Sequence, residues 1–188
     1  GGGTTEVAVV SLGGVVESES IKTAGDAFDE AIVRYVRRKH NILIGKRTAE
    51  ELKIGIACLV PRAEVGIQEV KGRCLTTGLP KSVKISSVEL VEAIAEPARD
   101  ILETIHMVLE RTPPELVSDV AQNGIVMAGG GSLIYGFDQL VEKDTGIRTT
   151  VVDDALSCAA FGSGKMLMNL NDMPEGMVNL ARKRQMKA

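Results

Sequence analysis

Two glycine-rich loops, each fused to a short apolar run, constrain this chain more than any other feature. The first, Gly1-Gly2-Gly3-Thr4-Thr5-Glu6, runs into Val7-Ala8-Val9-Val10; the second, Gly129-Gly130-Gly131-Ser132, follows Ile125-Val126-Met127-Ala128. Four-residue apolar runs bounded by glycine read as buried strands. Glycine admits positive φ and lets a ligand approach the backbone N–H groups, the usual construction of a phosphate cradle. One run of three glycines has a plainer reading, a hairpin lead-in or a close backbone contact. Two in one short chain favour a nucleotide held between them, the second at a strand-to-helix junction where donors and dipole attract an anion.

The segments between the loops mix strands and helices. Val7–Leu12 and Val15–Glu17 read as a hairpin turning at Gly13-Gly14, with a third short strand at 20–24. A helix starts at Gly25-Asp26, with Phe28, Ala31, Ile32, Tyr35 and Val36 forming its apolar stripe. Its basic end (Arg34, Arg37, Arg38, Lys39) is explained more simply by the helix dipole than by a phosphate or membrane ligand. Thr48-Ala49-Glu50-Glu51 and Ser86-Ser87-Val88-Glu89 are capping-box patterns opening two further helices. Between them, 65–70 and 81–85 look like strands of a small inserted subdomain. Pro97 is expected to kink or divide the helix that follows, Thr112-Pro113-Pro114 to end it, and a short helix to close at Asn123-Gly124. After the second loop come a helix at 137–144, a strand at 148–152 and a last helix from Asp154; the basic tail around Arg182-Lys183-Arg184 reads as solvated. A hairpin followed by strand–helix units excludes an all-parallel doubly wound sheet and predicts an α/β fold with a mixed sheet flanked by helices.

Several function classes fall away. With net charge −3 and 3% aromatic residues, the chain has no basic, aromatic-interleaved stripe for nucleic acid. Cys58, Cys74 and Cys158 lie outside metal-ligand spacing and suit free thiols in a reducing cytosol; His40 and His106 have no partner close in sequence, and no metal ligand is expected. Gly162-Ser163-Gly164-Lys165 imitates the end of a P-loop, but that motif needs glycine at 159 and Ser or Thr at 166, where Ala159 and Met166 stand. A dinucleotide fingerprint from the second loop fails at Ile134. Glu50 and Lys53 share a helix face, and by spacing alone a surface ion pair is the simpler reading over a clamp on a nucleoside. Opening on a glycine loop without Met, the chain is expected to be a piece of a longer protein.

Taken in order, five segments resemble the MreB family of bacterial actin homologues, which determine rod shape. They are Gly1-Gly2-Gly3-Thr4-Thr5-Glu6-Val7-Ala8-Val9, Ala24-Gly25-Asp26-Ala27-Phe28-Asp29-Glu30-Ala31-Ile32, Arg47-Thr48-Ala49-Glu50-Glu51-Leu52-Lys53, Arg111-Thr112-Pro113-Pro114-Glu115-Leu116 and Gly124 to Leu133. The likeness runs from residue 1 to about 168 and is to the family's C-terminal half. It implies the actin-like ATPase fold, in which two RNase-H-like domains close on ATP and Mg²⁺. Here the second would comprise residues 1–41 and 96–188 with a small α+β subdomain inserted at 42–95, the first domain being absent. By motif match, Gly2, Gly3 and Thr4 would meet the β/γ-phosphates. Glu50 and Lys53 would hold the adenosine, and Gly129, Gly130, Gly131 and Ser132 would line the ribose and α-phosphate. The family's magnesium-ordering aspartate falls before Gly1, its first phosphate loop and water-positioning glutamate in the missing half. Lys46, Gly55 and Ala128 depart from its commoner residues.

What the resemblance implies for function is an ATP-binding, filament-forming protein that organises cell-wall synthesis through slow hydrolysis coupled to polymerisation. This fragment alone is not expected to hydrolyse ATP and carries no catalytic residue of its own. The implied partners are further copies of itself, the wall-elongation machinery with its membrane adaptors, and the inner membrane surface; the implied location is cytoplasmic, in membrane-associated filaments. A chaperone or small-molecule kinase half-domain on the same fold is the alternative, and a non-nucleotide interaction module a third.

Overall fold

A computed structural model of the chain describes residues 2–168. It opens with an antiparallel hairpin, β1 (Thr5–Ser11) and β2 (Gly14–Ile21), paired from Thr5 opposite Ile21 to Ser11 opposite Gly14 with a register shift between Val9 and Val10. The turn is Leu12-Gly13, both at positive φ (49° and 76°), a two-residue connection whose twist matches that of the strands. The expected third strand at 20–24 is not separate: β2 continues to Ile21, because β1 offers partners over its whole length.

α1 (Gly25–His40) buries the expected stripe and, in addition, Asp29. β3 (Ile42–Leu43) then pairs with Cys74 and Arg73 of β4 (Ile67–Cys74), itself antiparallel to β5 (Pro80–Ser86). α2 (Lys46–Ile56) begins two residues before the Thr48 capping pattern, with Gly45 as N-cap and no side-chain cap. The Ala49 N–H already donates to the Gly45 carbonyl at 3.1 Å, so Thr48 is inside the helix. The second capping box forms as read: α3 (Ser87–Ala93) is capped reciprocally by Ser86 and Glu89. The helix breaks at Ile94 before α4 (Ala95–Arg111). Proline at 97 has no N–H for the carbonyl of residue 93 and its ring crowds that carbonyl, so the chain divides just upstream.

α5 (Pro114–Asn123) leads through Gly124 into β6 (Ile125–Met127), which pairs in parallel with β7 (Thr149–Val151). The crossover between them is a 3₁₀ turn at Gly130–Leu133 and α6 (Phe137–Thr145), and α7 (Cys158–Met168) follows. Antiparallel and parallel pairing thus occur together, in three separate ladders: β1–β2, β3–β4–β5 and β6–β7.

One core runs under all of this. Ile32, Val36, Ile42, Leu52, Ile85 and Leu90 of α1, α2, α3 and the second sheet, with Ile94 at the helix break, are fully buried, and Ile101 and Ile105 of α4 join the same cluster. Phe28 of α1 and Phe137 of α6 meet edge to face, ring centroids 6.2 Å apart at 70°, geometry that aromatic quadrupoles favour. That contact joins the helix behind the first glycine loop to the helix behind the second.

Candidate functional site

The first loop is pinned from behind. Asp26 N–H donates to the Gly2 carbonyl at 2.9 Å, and the Thr5 hydroxyl donates to the Thr23 carbonyl at 2.7 Å. Gly25 packs closely at this junction: a β-carbon there would lie in van der Waals contact, 3.5 Å from both Gly2 Cα and Lys53 Nζ. The second loop is shaped by Gly129, whose φ of 86° suits glycine. Its N–H donates to the Ala155 carbonyl at 2.7 Å, while its carbonyl accepts from the buried Ser132 hydroxyl at 2.7 Å. Ser132 therefore braces the loop from within.

One cavity of about 880 Å³ is lined by Thr4 of the first loop, by Gly25, and by Gly129, Gly131 and Ser132 of the second; the expected site residues Gly2, Gly3, Gly130, Glu50 and Lys53 are not among those that line it. A β-carbon placed on Gly3, Gly129 or Gly131 meets no atom within 4 Å, so these backbones face open space; on Gly130 it would lie 3.2 Å from Leu156 Cδ2. That bare backbone is what a phosphate or ribose cradle requires, and the residues present fit a nucleotide on this count. Among the described residues no group of three or more His, Cys, Asp or Glu side chains is placed to hold a metal.

Glu50 and Lys53 do not form the surface pair that their spacing allows. Lys53 turns inward: Nζ donates to the Gly25 carbonyl at 3.0 Å and lies 2.8 Å from Asp29 Oδ1, both side chains nearly buried, while Glu50 stays exposed. The contact lies off the hydrogen-bond direction, leaving Oδ1 without a hydrogen bond. Burial raises the Asp29 carboxyl above its ordinary value, against the pull of the Lys53 ammonium. The structure thus ties Lys53 to the first loop through Gly25. Asp29, to which sequence analysis gave no role of its own, is the anchor. Burial of an acid in an otherwise apolar stripe was its only signal, and periodicity alone does not show it. The histidines also gain partners that were invisible in sequence, His40 with Glu89 at 2.8 Å and His106 with Asp144 at 2.7 Å.

This mixed α/β frame with its two glycine loops is an actin-like fold. The profile of the family described as MreB/Mbl protein matches residues 1–175, and the chain belongs to that family. It is 48% identical over 167 residues to the cell shape-determining protein MreB of Escherichia coli strain K12, covering 89% of this chain and 48% of that protein. Among solved structures it resembles ADP-bound MreB5 of Spiroplasma citri, with a TM-score of 0.87 and 38% identity over 90% of this chain and 51% of that one. A double helical filament of MamK is similar at 28% identity and a TM-score of 0.67, covering 85% and 52%. The chain spans about half the length of the curated relatives it matches.

Proposed function

We propose that this chain forms one wall of an ATP site in a longer, filament-forming protein that determines cell shape by guiding wall synthesis. The observation that carries the reading is that Thr4 of the first loop and Gly129, Gly131 and Ser132 of the second line one cavity. Support comes from the ADP in the Spiroplasma citri relative and from the filament formed by MamK. In this reading Gly2, Gly3 and Thr4 orient the terminal phosphates. Gly129, Gly130 and Gly131 leave room for the ribose and α-phosphate, and Ser132 holds that turn in shape. Glu50 contributes from the exposed face of α2, and Lys53, held by Asp29, fixes the first loop against α1. When bound, the nucleotide would supply the phosphoryl bond whose slow cleavage loosens the filament. This chain's residues bind and orient it, while the groups that attack the bond come from elsewhere in the longer protein. Filaments would lie in the cytoplasm along the inner membrane with wall-elongation partners; no helix among the described residues is long and apolar enough to cross a membrane.

The test is calorimetric titration of ATP-Mg²⁺ into the longer protein and into its Gly131→Asp variant. Residue 131 has open space around it, so the variant should fold and place a negative charge where phosphate is expected. Loss of roughly a hundredfold or more in affinity is the expected result, from charge repulsion in a partly desolvated site. Equal heats from both proteins would remove the nucleotide reading. ATP-dependent sedimentation of the same protein tests the filament.

A further inference from the structure

A buried, incompletely bonded carboxylate stands directly behind the first glycine loop. The Asp29 side chain on α1 is 9% exposed, and its Oδ1 has no hydrogen bond. Lys53 of α2 is the cation against it, Nζ at 2.8 Å. An acid buried this deeply with an oxygen unbonded is costly to keep ionised. Burial accordingly raises the Asp29 carboxyl above its ordinary value near 3.8, despite the ammonium beside it. The other charges do not offset this. Asp26 on the same helix and Glu50 on α2 both push it further up, and Lys46 of α2 is drawn to Glu30, 3.1 Å away at the surface. β3 (Ile42–Leu43) brings no charge to α1. α3 and α4 pack on α1 further along, where Glu89 meets His40, Glu92 meets Tyr35 and Glu96 meets Arg34.

Geometry ties this pair to the loop. Lys53 Nζ donates to the Gly25 carbonyl at 3.0 Å, and Gly2 Cα and Lys53 Nζ would each lie 3.5 Å from a β-carbon on Gly25. Lys53 does not line the cavity, but Gly25, which it holds, does. While Asp29 is ionised, the pair presents no net charge to an anion at the loop. Protonation of Asp29 leaves the ammonium on Gly25 with its charge uncompensated. One carboxyl therefore sets the field at the loop, across a distance within the Debye length of about 8 Å at physiological salt.

We propose that Asp29 is a proton-linked positioning residue of the nucleotide site: ionised, it neutralises Lys53, and protonated, it frees that charge for the terminal phosphates, so that a nucleoside triphosphate binds with uptake of a proton at the Asp29 carboxyl. The proposal rests on the nucleotide reading of the glycine loops. Linkage is reciprocal: phosphates that bind the protonated form better also raise its hold on the proton. Affinity thus increases as pH falls through the raised value of Asp29 and levels off below it. A unit charge about 8 Å away, through an effective dielectric constant of about 20 and reduced by salt, changes affinity by about tenfold.

The experiment is calorimetric binding of ATP-Mg²⁺ to the longer protein and to its Asp29→Asn variant. Titrations run down a pH series from about 8 towards the ordinary carboxylate value, in two buffers of different ionisation enthalpy. Asparagine stands for the permanently neutral acid. The variant should bind about tenfold more tightly at about pH 8, and the two affinities should converge as pH falls. Proton uptake by the unaltered protein should exceed that of the variant by about half a proton at its peak, as a tenfold linkage requires. Protons exchanged by the nucleotide itself cancel in this difference. A side chain that only braced the fold would leave the variant binding more weakly at every pH. That result, or equal proton uptake by the two proteins, overturns the proposal and leaves the nucleotide site standing. No heat from either protein removes the nucleotide reading and this inference with it. A variant that fails to fold is replaced by a second measurement, the side-chain carboxyl ¹³C resonance of Asp29 in the unaltered protein. Its titration midpoint should rise by about one pH unit when ATP-Mg²⁺ saturates the site, and an unmoved midpoint overturns the proposal.

Discussion

The sheet β3–β4–β5 and the pair of ladders β1–β2 and β6–β7 share one core but present opposite faces to solvent. On the first, Glu69, Lys71 and Arg73 of β4 and Lys84 of β5 are exposed while Val70, Cys74 and Ile85 are buried, and Glu69 stands directly opposite Lys84. This is the polar-out, apolar-in alternation of a finished antiparallel sheet with one wet face. On the second, the outward residues are Ala8, Val10, Val15 and Val126 together with the polar Glu6, Ser20 and Thr150. α7 alongside carries Phe161, Met166 and Leu167 outward and buries nothing. The difference teaches that the first region keeps a charged outer face, whereas the second leaves aliphatic residues in solvent among polar ones. The glycine loops lie at the end of the second region.

The sharpest way to break this comparison is at its seam, where Lys53 of α2 reaches Asp29 and the first loop. Lys53→Met leaves a buried carboxylate without its counter-charge and should cost about 3–5 kcal/mol by urea denaturation. The sign of the pH dependence follows from the Asp29 carboxyl, already raised by burial. A raised acid is favoured in the folded state when protonated, so stability falls as pH climbs from the ordinary carboxylate value through the raised one. In Lys53→Met the window should widen upwards, and the deficit should shrink as pH is lowered towards 4. A deficit independent of pH would mean that Asp29 is not the group left exposed to the penalty.

Next in size is a pair of truncations, one in each region. Ile85, fully buried in β5, should cost about 2–5 kcal/mol as Ile85→Ala. Val10→Ala, on the open face of β1, should change stability by no more than about 0.5 kcal/mol. Comparable losses from both would show that the second region is covered in solution by something the comparison leaves out.

The sequence was most legible where structure is local. The α1 stripe repeats within one helix, the Ser86–Glu89 box closes over four residues, and the glycine loops sit at the strand boundaries expected of them. It was least legible where long-range pairing decides. β3 is two residues long and exists because Cys74 and Arg73 offer it an edge. Thr48 lost its capping role because the chain already turns at Gly45. In the site, the glycines could be read directly, but the inward turn of Lys53 could not, because its partner is 24 positions away on another helix and only tertiary packing brings Asp29 to 2.8 Å. Burial was equally hidden: the apolar runs at 7–10 and 125–127 form strands, but not the buried ones read from their composition, since only Val9 among them is buried.

The smallest effect tests whether the finished region owes its order to one local device. Glu89 accepts from Ser86 N–H and hydroxyl, both at 2.9 Å, and meets His40 at 2.8 Å. Burial alone would raise its carboxyl, but these contacts outweigh it and hold the group below its ordinary value. A depressed acid contributes stability that is full above its unfolded value, near 4.5, and is lost as pH falls through the folded one. Glu89→Gln keeps an acceptor for the Ser86 N–H but gives up the charge, so it should cost about 1 kcal/mol at neutral pH, within the range of a lost cap, and its difference from the unaltered chain should vanish below the folded value. The two acids thus tilt the molecule in opposite directions. Lowering the pH relieves Asp29 at the seam and removes the contribution of Glu89 from the β3–β4–β5 side. Amide exchange measured down an acid series should therefore show α3 loosening at a pH where the junction of α1 and α2 does not. If both loosen together, the two regions are one cooperative unit, and their contrast is confined to their surfaces.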